Sequence, residues 1–139
     1  MLFRSNLSSR IEGLTKLYGV SIAIGKALHD KLAEFAALEM DLVRVVGRDT
    51  PERVFVLLGD EELTGSPDFA DLREAHNAML AAYRAAQWDD ARSQMSMLAS
   101  HAGQFGLSQL YAMYDTRIAA LIADPPPAGW DGVYEAREK

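Results

Sequence analysis

The residues of this sequence with the most chemical potential sit close to its start. Asn6 and Arg10, in the run Asn6-Leu-Ser-Ser-Arg10-Ile-Glu12, are four positions apart. On a helix that spacing puts both side chains on one face. The pair joins a neutral amide, which can donate and accept, to a permanent cation with a planar fork of donors. Read on residue type alone, Asn6 is a helix cap and Arg10 a solvated surface charge. Other chemistry is thinly represented. There is no GxxxxGK[ST] phosphate loop, no GxGxxG fingerprint and no GxSxG nucleophile elbow. The histidines, His29, His76 and His101, have no HExxH or comparable pairing, so no zinc site is expected. His76 falls on an apolar helix face and reads as a core-edge histidine. Asp89-Asp90 reads as a polar turn entering a helix, and Glu61-Glu62 as part of a solvated linker. Tyr111 and Tyr114, at helical spacing, read as packing rather than as a binding box. With no cysteine, disulfide and thiol chemistry are excluded.

The elements that must position Asn6 and Arg10 follow from hydrophobic spacing. Leu7, Ile11, Leu14 and Leu17 predict a first helix starting near Ser5 or Asn6, with Gly19 as its stop. Val20–Ile24 alternates as a half-buried strand, broken at Gly25. Lys26–Phe35 is predicted as a short helix with Ala27, Leu28, Leu32 and Phe35 inward. Leu38, Met40 and Leu42 then share one strand face, opposed by Glu39 and Asp41, and Val43–Val46 continues apolar. After the turn cluster Gly47–Glu52, the strand Arg53–Leu58 returns. The connection is too short for a parallel crossover, so an antiparallel hairpin is expected. Beyond Gly59 the pattern changes. Gly59–Pro67 is polar and carries glycine and proline, as a linker does. Three helices are predicted after it. The first carries Leu72, Ala75, His76, Met79, Leu80 and Tyr83 on one face. The second, entered through Gln87–Asp90, carries Ala91, Met95 and Leu98. The third, after Gly103–Gly106, carries Leu107, Leu110, Tyr111, Tyr114, Ile118 and Leu121. The first two have the layout of a tetratricopeptide-type hairpin. One hairpin is not a self-stabilised array, so an appendage packed on the first unit is expected. Pro125-Pro-Pro127 stops the third helix, and Trp130 and Tyr134 are candidate anchors for the tail.

Composition narrows the function classes. The formal charge is −6, and it is uneven. Residues 1–60 hold eight basic and eight acidic groups, whereas residues 61–139 hold six and twelve. That imbalance argues against nucleic acid and against anionic membrane surfaces as partners. The runs Val20–Ile24 and Val54–Leu58 fall far short of the ~20 residues that span a bilayer, and no signal-peptide pattern follows Met1. A cytoplasmic location is the expectation.

Asn6-Leu-Ser-Ser-Arg10-Ile-Glu12 resembles the Asn-x-x-x-Arg helix of class III adenylate/guanylate cyclases. The strand Val20–Ile24, the helix after it, and the hairpin Val45-Val-Gly-Arg48 to Arg53-Val-Phe-Val-Leu57 continue that resemblance in order. The tail Pro125–Tyr134 resembles the Pro-Pro-Pro…Trp-Asp-Gly-Val-Tyr ending of sensor-type members that carry a helical extension. The resemblance implies an α+β chain: residues 1–59 as the C-terminal part of a ferredoxin-like catalytic sheet, 60–67 as linker, 68–124 as helical extension and 125–139 as tail. It implies conversion of ATP, or GTP, to a 3′,5′-cyclic nucleotide at a site shared between two chains, in a homodimer or with a cyclase partner. By match of motif, Asn6 would orient the ribose and Arg10 would stabilise charge on the reacting phosphate. The family uses Mg²⁺ or Mn²⁺, held by aspartates upstream of this motif on segments this sequence does not contain. The base-selecting lysine is likewise upstream, so the resemblance does not distinguish ATP from GTP. Leu2-Phe3 replaces the usual Gly-Asp. Val45-Val46-Gly47 replaces a triphosphate-contacting Val-Lys-Gly, which leaves Arg48 or Arg44 as substitutes. The isolated chain is therefore expected to bind no metal tightly and to be inactive. The alternative expectation is a non-enzymatic interaction or dimerisation module of cyclase descent.

Overall fold

The computed structural model describes residue 15, residues 18–44 and residues 50–135. The chain divides into two compact units, residues 1–64 with 133–139, and residues 65–132.

The first unit is built on a mixed sheet. Its strands are β1 (Ala23–Gly25), β2 (Ala36–Arg44), β3 (Glu52–Gly59) and β4 (Tyr134–Glu135), in the order β1-β3-β2-β4. β1 and β2 both pair antiparallel with β3, and β4 adds in parallel to β2. The expected hairpin is therefore present, with Val43 opposite Glu52 and Ala36 opposite Gly59. Two short helices complete the unit, α1 (Lys26–Lys31) and α2 (Glu61–Thr64). α2 lies inside the polar stretch read as linker. Leu38, Met40, Val43, Val54 and Val56 are buried, as β-branched and long apolar residues on one sheet face should be.

Three expectations for this unit need correction. The strand read over Val20–Ile24 starts later. Gly19 takes φ +71, and the Val20 amide donates to the Thr15 carbonyl at 3.0 Å. That closes a helical turn, so the backbone reaches strand geometry only past Ser21. The helix read over Lys26–Phe35 ends at Lys31, where the Leu32 amide donates back to Leu28 and His29. Its predicted inward residues are not buried: Ala27 is exposed, Leu28 is 47% exposed, and Leu32 and Phe35 are half-buried. His29 supplies the contact instead, its ring stacked on Phe55 at 3.8 Å. In β2 the alternation fails after Met40. A register shift between Glu39 and Asp41 places Met40 and Asp41 both inside, leaves Leu42 half-buried, and turns Val43 inward. A bulge of this kind inserts one residue and exchanges the faces beyond it.

The second unit consists of α3 (Pro67–Arg84), α4 (Trp88–Gln104) and α5 (Ser108–Ala123). Ser66 caps α3 by accepting from the Phe69 amide, and Pro67 occupies the first turn. Phe69, Leu72, His76, Met79, Leu80 and Tyr83 of α3 are buried. So are Ala91 and Leu98 of α4, and Leu110, Tyr111, Tyr114 and Ile118 of α5. This agrees with the spacing read from sequence except at Ala75, Met95 and Leu121, which are half-buried. No described helix is long and apolar enough to cross a membrane.

Candidate functional site

Of the residues the sequence singles out, Asn6, Arg10 and Arg48 lie outside the described residues. Arg44 is described. It is the last residue of β2, half-buried, and stands in register with Glu135 of β4. The site must therefore be approached through what holds its flanks.

The principal flank contact is buried and polar. Tyr18, which follows Arg10 by eight positions, is fully buried. Its hydroxyl donates to a carboxylate oxygen of Asp41 at 2.5 Å. Asp41 is 1% exposed, and its other oxygen accepts from the Leu42 amide at 2.8 Å. A buried carboxylate needs such donors, because leaving it unpaired would cost several kcal/mol. The bond ties the chain that leaves the Asn6–Arg10 motif to β2, three residues before Arg44. The bulge makes this possible by turning Asp41 inward. Sequence spacing put Asp41 on the outer face. The missed signal was a short acidic side chain inside an apolar run, with a tyrosine upstream to receive it.

Two further side-chain contacts of this unit are surface pairs. Arg53 bonds Glu39 at 2.7 Å across the hairpin. Lys26 bonds Asp30 at 2.9 Å one turn along α1, and that ammonium holds the Asp30 carboxyl below the usual aspartate range. His29, stacked on Phe55, has no hydrogen-bond partner at Nδ1. Its role in packing could not be read from spacing.

In the helical unit His76 is fully buried, and its Nδ1 lies 2.6 Å from the Tyr111 hydroxyl. Burial pushes the Tyr111 phenol well above the ordinary tyrosine range, so it stays protonated. His76 thus sits deeper than a core edge and is part of a packed pair between α3 and α5. Tyr114 packs edge-on against Tyr83 at 5.0 Å, which accounts for it as core. Asp89 and Asp90 lie in the first turn of α4, where carboxylates favour the helix dipole.

Among the described residues no group of three or more His, Asp or Glu could hold a metal ion. Comparison of the chain with protein families, curated proteins and solved structures found no match.

Proposed function

We propose that this chain is the C-terminal portion of a class III nucleotidyl cyclase, most readily an adenylate cyclase, with a helical extension. The observation that supports this reading is the order of elements after the Asn6–Arg10 motif. A short strand, a short helix and an antiparallel hairpin follow it, with the strand paired to the far arm of the hairpin. The Tyr18–Asp41 bond adds a physical link between the motif's continuation and the strand that leads to Arg44 and Arg48.

In this reading the ribose 3′-oxygen attacks the α-phosphorus and pyrophosphate leaves. Such a step needs alignment and charge neutralisation more than covalent help from the protein. Asn6 fixes the sugar, Arg10 offers its fork of donors to phosphate oxygens, and Arg48 or Arg44 meets the triphosphate. The metal aspartates come from another segment or chain on the cytoplasmic side. The isolated chain then makes no cyclic nucleotide from MgATP or MnATP, and it still binds ATP weakly. Isothermal titration is the test. ATP binding that Arg10→Ala removes supports the reading. A stable dimer on size exclusion that ignores both ATP and GTP overturns it.

The second reading, an interaction module of cyclase descent, draws on the helical unit, where Met97 is 66% and Ile122 46% exposed. The same dimer result would favour it.

A further inference from the structure

The segment from Pro125 to Gly132 belongs to the helical unit but adds neither helix nor strand to it. Within it Gly132 is buried, Pro126 and Trp130 are half-buried, and the other residues are exposed. It is nevertheless held at specific points. The Trp130 amide donates to the Pro127 carbonyl at 3.1 Å, closing a turn whose third residue, Gly129, takes φ +84. The Trp130 ring then packs on Tyr83 at 5.4 Å and on Trp88 at 5.7 Å. Gly132 follows at φ +82, where a Cβ would lie 2.6 Å from Cγ of Arg84 and 3.4 Å from its Cα. Only glycine tolerates both that dihedral and that approach. The segment thus touches the helices as a bound peptide does, through one aromatic side chain and one close backbone approach.

The surface that receives it is made by helix residues. Tyr83, in the last turn of α3, packs edge-on against Tyr114 of α5 at 5.0 Å and against Trp88, the first residue of α4, at 6.0 Å. The Gln87 amide donates to the Ala82 carbonyl at 2.8 Å and fixes the turn between α3 and α4. Ala86 in that turn takes φ +61. A non-glycine residue there is strained, and such residues persist where the surroundings over-determine them, often at ligand clamps. Tyr83 and Trp88 therefore form a fixed aromatic step. Aromatic surfaces of this kind take extended proline-rich segments, which lose little entropy on binding because their backbone is already restricted. Pro125-Pro-Pro127 followed by Trp130 has that chemistry.

We propose that the Tyr83–Trp88 surface is a binding site for an extended Pro-Pro-Pro-x-x-Trp segment, filled by the chain's own Pro125–Trp130 and able to take the same segment of a second copy. Residues 124–129 join the end of α5 to Trp130. A tether that short gives the chain's own segment an effective concentration on the order of a millimolar. The segment in cis is thus a built-in competitor. It keeps the site closed to dilute copies, and exchange sets in only as their concentration approaches that value. The site lies wholly within the helical unit and is independent of the cyclase reading.

Nuclear magnetic resonance of the nitrogen-labelled full chain tests it. Trp88 and Trp130 are the two tryptophans, so Trp130→Ala leaves a single indole N–H resonance, that of Trp88. This variant is titrated with an unlabelled peptide of the sequence of residues 124–132. The expected result is a saturable shift of the Trp88 resonance, at an affinity about tenfold higher than the parent chain shows. A peptide with alanine in place of its tryptophan is expected to cause no shift. In a Trp130→Ala chain that keeps its helical circular dichroism, a Trp88 resonance unmoved by about a millimolar of peptide overturns the site, as does an equal shift from the alanine peptide. If the variant loses its helical signal, the parent chain decides. There about ten millimolar peptide, in excess over the segment in cis, is expected to displace Trp130 and move its indole resonance. A Trp130 resonance that stays in place overturns the site.

Discussion

Two buried polar pairs carry most of the individuality of this chain at the scale of single residues. His76 and Tyr111 meet at 2.6 Å inside the helical unit. Tyr111→Phe should cost about 1–3 kcal/mol, because His76 loses that partner while remaining buried. Urea unfolding followed by helical circular dichroism would measure it. The pair also fixes a pH response. The folded-state Tyr111 phenol is raised above its unfolded value, so near and above pH ~10 the unfolded chain binds fewer protons than the folded one. The stabilisation is complete below that value and is lost as pH rises through the folded one. The urea midpoint of the parent protein is thus expected to fall between pH 9 and 11 more steeply than that of Tyr111→Phe. A matching slope in the variant would remove this account. In the sheet unit, Tyr18→Phe should cost a similar ~1–3 kcal/mol by taking one donor from buried Asp41. Tyr18→Phe combined with Asp41→Asn should recover part of the loss, because an amide is less costly to bury than a carboxylate. The first of these pairs was half legible. Helical spacing put His76 and Tyr111 inward, but no spacing rule says which inward residues on two helices will touch.

At the scale of elements, the two turns of the helical unit form a natural comparison. α3 ends with the Gln87 amide donating to Ala82 and the Ala86 amide to Tyr83. α4 ends with the Leu107 amide donating to Ala102 and the Gly106 amide to Gly103. Both are the same helix-closing hydrogen-bond pattern, which needs a left-handed residue just past the helix. The second turn has Gly106 at φ +72; the first has Ala86 at φ +61. A Cβ in that region is strained by roughly 1 kcal/mol. Ala86→Gly is therefore predicted to stabilise the protein by about 0.5–1 kcal/mol, seen as a higher denaturation midpoint at unchanged m value. Gly106→Ala should do the opposite. Helix interiors were legible because their period repeats over many residues. The short elements were not. α1 has six residues and no buried side chain, so its spacing carried no information on which face points inward. The β2 bulge is a single inserted residue, and it exchanged the faces of every position after Met40 without any glycine or proline to mark it.

At the scale of the whole molecule, the chain reads as two units of different construction, a small sheet closed at one edge by the chain's own tail and a three-helix unit. The sequence pattern changes from alternating strands to continuous helix at Gly59, whereas the compact units divide between Thr64 and Gly65. The return of the tail to β2 was not legible, since Tyr134–Glu135 is too short to show strand periodicity and its partner lies 91 residues earlier in sequence. For the proposed function, the decisive prediction at this scale is the ATP titration with Arg10→Ala, because it asks whether the Asn6–Arg10 motif recognises phosphate at all. Both tryptophans of the protein, Trp88 and Trp130, sit in the same cluster, with rings 5.7 Å apart beside Tyr83. Intrinsic indole emission consequently reports on the helical unit. In an unlabelled sample, a shift in tryptophan fluorescence reads the seating of Trp130 on Tyr83 and Trp88.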